Sequence, residues 1–168
     1  MRKVLGVGAA LVLLLLAVAG LASAGDNNNY SVHLDGDTEV PANASLGTGQ
    51  AIFKLSPDGT SLDYKLIVAN LDNPVAAHIH VGPPGVNGPV VVLLFSGSPG
   101  TGTANGVIAE GTVTAANLTG PLAGQPFSAL VEALNSGNAY VNVHTNDGVP
   151  PTGTGPGDLP GGEIRGNF

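Results

Sequence analysis

The chain of 168 residues has no cysteine, only five lysines and arginines, and charged side chains at 10% of its positions. Without cysteine there is no disulfide framework, although a secreted compartment would permit one. A thiol nucleophile is excluded for the same reason. Neither a G-x-S-x-G elbow nor a glycine-rich phosphate loop leading into a helix is present. The few cations face twelve aspartates and glutamates. That balance removes nucleic acid and anionic membrane surfaces as partners, because both are bound through clustered lysine and arginine. It suits solubility outside a cell, or the attraction of cations. Stability must come from an apolar core, a bound metal, or assembly.

A long apolar run occurs at the start, from Val4 to about Val18, behind the basic pair Arg2 and Lys3. Ala22-Ser23-Ala24 follows with the small residues that a signal peptidase requires. The pattern predicts a signal peptide over residues 1–24, cleaved after Ala24. An uncleaved membrane anchor is the alternative, since the run is nearly long enough to span a bilayer. The A-x-A site and the polar GDNNN lead-in (25–29) favour cleavage. No cysteine follows the run, so a lipid-anchored lipoprotein is excluded. Cleavage leaves 144 residues, a single-domain length with room for one core. That segment keeps Lys54, Lys65 and Arg165 against twelve carboxylates, three cations against twelve anions, for a formal charge of −9. A secreted protein, extracellular or periplasmic, is expected, with no stable membrane insertion.

Between recurring Gly and Pro the sequence alternates with period two, the mark of an all-β sandwich or barrel. In SLDYKLIV, Leu62, Tyr64, Leu66 and Val68 share a face. In PVAAHIHV, Val75, Ala77, Ile79 and Val81 share one face, and Ala76, His78 and His80 the other. In NAYVNVHT, Ala139, Val141 and Val143 lie opposite Tyr140, Asn142 and His144. YSVHL, QAIFKL, GVIAEGTVT and the closing GGEIRGNF read as further strands. VVVLLF (90–95) is a continuous apolar run and predicts a strand covered on both sides. Only FSALVEAL, with Phe127, Leu130, Val131 and Leu134 at helical spacing, predicts a helix of one or two turns. Asn146 to Gly161 is too rich in Pro and Gly for regular structure and reads as a functional or mobile loop. GPPGVNG has collagen-like composition, but its G-x-y period stops there, so it is a turn.

His78 and His80 leave the same side of a strand, and His144 has the matching phase on another. Three neutral imidazoles suit copper or zinc with an open position for water or substrate. The competing reading is that they are polar residues on a solvated sheet face, or histidines hydrogen-bonded within a barrel end. His33 is expected to be exposed and separate from them. Glu163 and Arg165 share a strand face and could form an ion pair or contact a neighbouring loop, a structural role in either case. Asp35, Asp37 and Glu39 could offer oxygens to calcium, but their spacing lacks the full EF-hand loop, and a solvated turn is the expectation. Asn43-Ala-Ser45 and Asn117-Leu-Thr119 are formal glycosylation sequons, of consequence only in a host that glycosylates.

Taken in order, LDGDTEVPA, AAHIHVGPPGVNGPVVVLLF, YVNVHT and GGEIRGNF resemble the CHRD family, the domain named after chordin and found in many secreted prokaryotic proteins. The resemblance runs from about Val32 to Phe168. It implies an immunoglobulin-like Greek-key β-sandwich or barrel with limited similarity to Cu/Zn superoxide dismutase. By that similarity His78, His80 and His144 would be copper ligands, with Arg165 bordering the site. Asn142 or Glu163 would be candidate acceptors for the other ring nitrogens. The chain departs from the family in the longer link between VHT and GGEIRG. It departs from the dismutases in having no histidine between His80 and His144 and no disulfide.

Two functions follow. The first is a secreted, non-enzymatic binding or surface-assembly module for an extracellular protein or surface partner, in which the three histidines either hold a structural metal or pack the barrel. The second is a copper-binding redox protein resembling a zinc-free superoxide dismutase. A third possibility is a self-associating subunit of an extracellular sheath, adhesive layer or matrix, assembled through exposed edge strands.

Overall fold

The computed structural model describes residues 28–168. The signal peptide expected at 1–24 and most of the polar lead-in lie outside the described residues. Among the described residues, alternating apolar and polar positions broken by Gly and Pro give eight strands and one α-helix. They are β1 (Asn29–Leu34), β2 (Thr48–Leu55), β3 (Ser61–Asp72), β4 (Pro74–Val81), β5 (Val90–Ser96), β6 (Thr103–Thr114), α1 (Ser128–Asn135), β7 (Ala139–Thr145) and β8 (Ile164–Asn167). Single 3-10 turns stand at Ala115–Asn117 and Gly120–Leu122. No described helix is long and apolar enough to cross a membrane.

The strands form two antiparallel sheets, ordered β1-β2-β3-β6 and β5-β4-β7-β8. After the β4–β5 pair in the second sheet, the chain returns so that β6 lies beside β3, a Greek-key connection. The all-β sandwich expected from the alternation is therefore present. Its core joins Leu34, Leu62 and Leu66 of the first sheet to Ile79, Val141 and Ile164 of the second, all fully buried. Helix α1 adds Leu130, Ala133 and Leu134. The backbones of Asp35 and Arg165 exchange hydrogen bonds of 2.9 and 3.1 Å and tie the two sheets together beyond the end of β1.

The apolar run at 90–95 departs from expectation. β5 is an edge strand, and Leu93 is 56% exposed. Its pairing with β4 shifts register between Ala77 and His78 and again between Ile79 and His80. Each shift sets an extra β5 residue against β4, so consecutive Val91 and Val92 are both buried. The unbroken apolar run records two irregularities, not cover on both faces.

Candidate metal centre

β4 turns Ala77 and Ile79 into the core, which sends His78 and His80 to the outer face of the second sheet. β7 runs antiparallel beside it, with Ala76 opposite His144, His78 opposite Asn142, and His80 opposite Tyr140. His144 is therefore the diagonal neighbour of His78, within reach of an imidazole. The structure brings the three predicted histidines together. Ring centroids are 5.0 Å apart for His78 and His144, 5.6 Å for His78 and His80, and 6.4 Å for His80 and His144. One ligand atom from each lies within 4.8 Å of the other two.

Main-chain carbonyls fix two of the rings. Nδ1 of His80 lies 2.8 Å from the Gly88 carbonyl, and Nδ1 of His144 lies 2.9 Å from the Pro160 carbonyl. A carbonyl only accepts, so each Nδ1 carries the proton and each Nε2 presents a lone pair. His78 Nδ1 stands 3.1 Å from the His144 Nε2 lone pair and donates to it. His80 Nε2 is buried and has no hydrogen-bond partner. Gly88 must be glycine for its carbonyl to reach His80, since a Cβ there would stand 1.8 Å from the Val81 oxygen. Burial first, and then the neighbouring imidazoles, hold His78 down to about 4. Burial also lowers His80 and His144, opposed in each by its carbonyl. The cluster is neutral near pH 7, the protonation state that a metal requires.

Loops cover this outer face and make a buried polar layer around the histidines. Tyr140 stacks on His80 with ring centroids 4.6 Å apart and planes 11° from parallel. The Arg165 guanidinium lies 3.4 Å from the centre of the same ring. Asn142 is buried on this face, and its Oδ1 has no partner. Glu163 does not pair with Arg165; among the described residues the ion pair is Lys65 with Glu110, at 3.5 Å. The Glu163 carboxylate instead accepts from Ser45 Oγ at 2.5 Å, from the Gly157 amide at 2.7 Å, and from Thr145 Oγ1. It anchors the Pro/Gly-rich loop to the sandwich, so that loop is tied down at its far end. Glu163→Ala leaves those donors without an acceptor and is expected to cost about 2–3 kcal/mol in chemical denaturation. Proteolytic cleavage within 146–161 should appear at the same time.

His33 is exposed and apart from the cluster, as expected. The acidic turn gathers no metal-binding group among the described residues. Asp35 caps the Thr38 amide at 2.8 Å, Asp37 is exposed, and Glu39 turns inward to 6% exposure. Burial raises Glu39, against the Val40 amide, Arg165 and Asn142. Sequence reasoning put Glu39 in a solvated turn, gave Tyr140 no role beyond its phase, and missed the two carbonyl acceptors. The phase of Tyr140 with Asn142 and His144 was the one signal that could have found any of them.

A family model, the CHRD domain, matches residues 30–154. The match covers the three histidines and ends before β8, which carries Arg165. No curated protein and no solved structure matches.

Proposed function

The chain belongs to the CHRD domain family, and from that premise we propose that it is a secreted, non-enzymatic binding module holding one copper or zinc ion through His78, His80 and His144. The observation that carries the metal is His80: its Nδ1 is committed to Gly88, while its buried Nε2 has no partner and faces two more imidazoles. A buried polar atom left bare is costly, and a cation relieves that cost. Carbonyl acceptors behind two of the rings are the supports that ligating histidines use. The partner is an extracellular protein or surface component. A cleft of about 460 Å³ supports binding, since its wall includes Pro160, whose carbonyl holds His144. Copper-based redox chemistry is the second reading, favoured by the half-exposed His78 ring, which leaves one side of the centre accessible. Neither reading depends on immunoglobulin-like or dismutase-like descent.

Metal analysis of the purified protein after copper or zinc loading tests this. One ion per chain is expected, lost in both His80→Ala and His144→Ala while their β-sheet circular dichroism persists. Equal uptake by wild type and both variants would remove the site. Reduction of the bound copper by ascorbate, reversed by oxygen, would favour the redox reading.

A further inference from the structure

Three buried polar atoms without a partner belong to this one face: Glu39 Oε1, Asn142 Oδ1 and His80 Nε2. All three are acceptors, because the His80 proton is on Nδ1. They share a neighbourhood. Asn142 lies opposite His78 in the β4–β7 register, and its amide is close enough to influence both the His80 ring and the Glu39 carboxylate. Gly162 marks the junction from the loop side: a Cβ there would stand 2.5 Å from Glu39 Oε1 and 3.0 Å from Asn142 Nδ2. Glu39 and Asn142 are 6% and 3% exposed, so bulk water does not solvate them. The Asn142 amide is a donor that acts on both the Glu39 carboxylate and the His80 ring, but it makes no close hydrogen bond to either unpaired atom. Acceptors that outnumber their donors out of solvent favour a cation.

We propose that Glu39 is the anionic positioning residue of the metal centre, acting through Asn142 and its own charge to favour a divalent over a monovalent cation. The inference rests on the three-histidine reading and deepens it. Glu39 also faces Arg165, whose hydrogen bonds all go to carbonyl and amide oxygens, so a purely structural role as its counter-charge is the competing account. The two accounts separate by ion charge. A Coulombic contribution scales with the charge of the ion, whereas a distorted pocket weakens both ions alike.

Dissociation constants for Zn²⁺ and Ag⁺, measured by competition titration at low salt and near-neutral pH, decide between them. Glu39→Gln should weaken Zn²⁺ about tenfold and Ag⁺ about threefold, since halving the charge halves the energy. Asn142→Asp, which adds a charge at nearly constant shape, should tighten both in the same ratio. Equal losses for the two ions, or no loss, in Glu39→Gln would overturn the role of Glu39 and leave the histidines standing. If Glu39→Gln does not fold, an unchanged Zn²⁺/Ag⁺ preference in Asn142→Asp overturns it instead. A wild type that takes up neither ion would overturn the three-histidine reading and this inference together.

Discussion

Arg165→Ala is expected to cost about 4 kcal/mol of folding stability in the metal-free protein, with a fall in melting temperature of roughly 12 °C. Arg165 is fully buried although it sits on the edge strand β8. Its guanidinium donates to Asn167 Oδ1 at 3.0 and 3.2 Å and to Asn87 Oδ1 at 3.2 Å. It also donates to the Val86 carbonyl at 3.1 Å and, more weakly, to that of Pro83 at 3.4 Å. Thus one side chain holds the β4–β5 loop against the sheet. Alanine leaves those acceptors bare, opens a cavity beside Tyr140, and removes the guanidinium charge that acts on Glu39. An apolar replacement of similar size fills the cavity but satisfies no acceptor, so Arg165→Met should lose nearly as much. Arg165→Lys keeps the charge without the planar fork or its stacking, and an intermediate cost of about 2 kcal/mol is expected. The loop that Arg165 holds also carries the Gly88 carbonyl behind His80. Zinc affinity should therefore fall together with stability. Denaturant titration of the three variants checks the order; a loss below about 1 kcal/mol in Arg165→Ala would mean that water can take over the loop's hydrogen bonds.

The strands were legible because burial on one face of a sheet imposes a period of two. That period also set the phases of His78, His80 and His144. Bringing them together needed one further fact, that β4 and β7 are neighbours with Ala76 opposite His144, which no local pattern contains. Bulges defeated the reading of β5: an extra residue per register shift erases the alternation that identifies an edge strand. The rest of the site depends on loops. Glu39 looked like one member of a solvated acidic turn, and only the packing of that turn against Asn142 and Gly162 buries it. The carbonyls of Gly88 and Pro160 have no side-chain signature at all. Of the two roles open to Glu163 and Arg165, an ion pair or contact with a neighbouring loop, the structure shows the second: donors from Ser45, Thr145 and Gly157 claim Glu163, and Arg165 binds the β4–β5 loop.

Acidification of the metal-free protein from pH 7 to pH 4 should destabilise it in a window set by the histidines. The His78 imidazole titrates near 6.5 in the unfolded chain and is held to about 4 in the folded one. Between those values the unfolded chain binds more protons, so stability is full above about pH 6.5 and is lost as pH falls towards 4. For His78 the loss is about 2 kcal/mol, allowing for solvent screening of a ring that is only half-buried. His80 and His144 are lowered as well and act in the same direction. Glu39 opposes them: burial raises it, so its contribution is present at low pH and disappears as pH rises through its folded value. The histidines outnumber it, and the net effect is a loss. His78→Gln removes the largest resolved cause and should flatten the profile between pH 6.5 and 4 while leaving the pH 7 melting temperature nearly unchanged. Zinc at a thousand times its dissociation constant adds about 4 kcal/mol at pH 7, and that gain must vanish with acid because protons and the ion compete for the same lone pairs. The zinc-loaded protein should therefore lose more melting temperature over this window than the metal-free protein does. Parallel profiles with and without zinc would place the ion somewhere other than on the histidines.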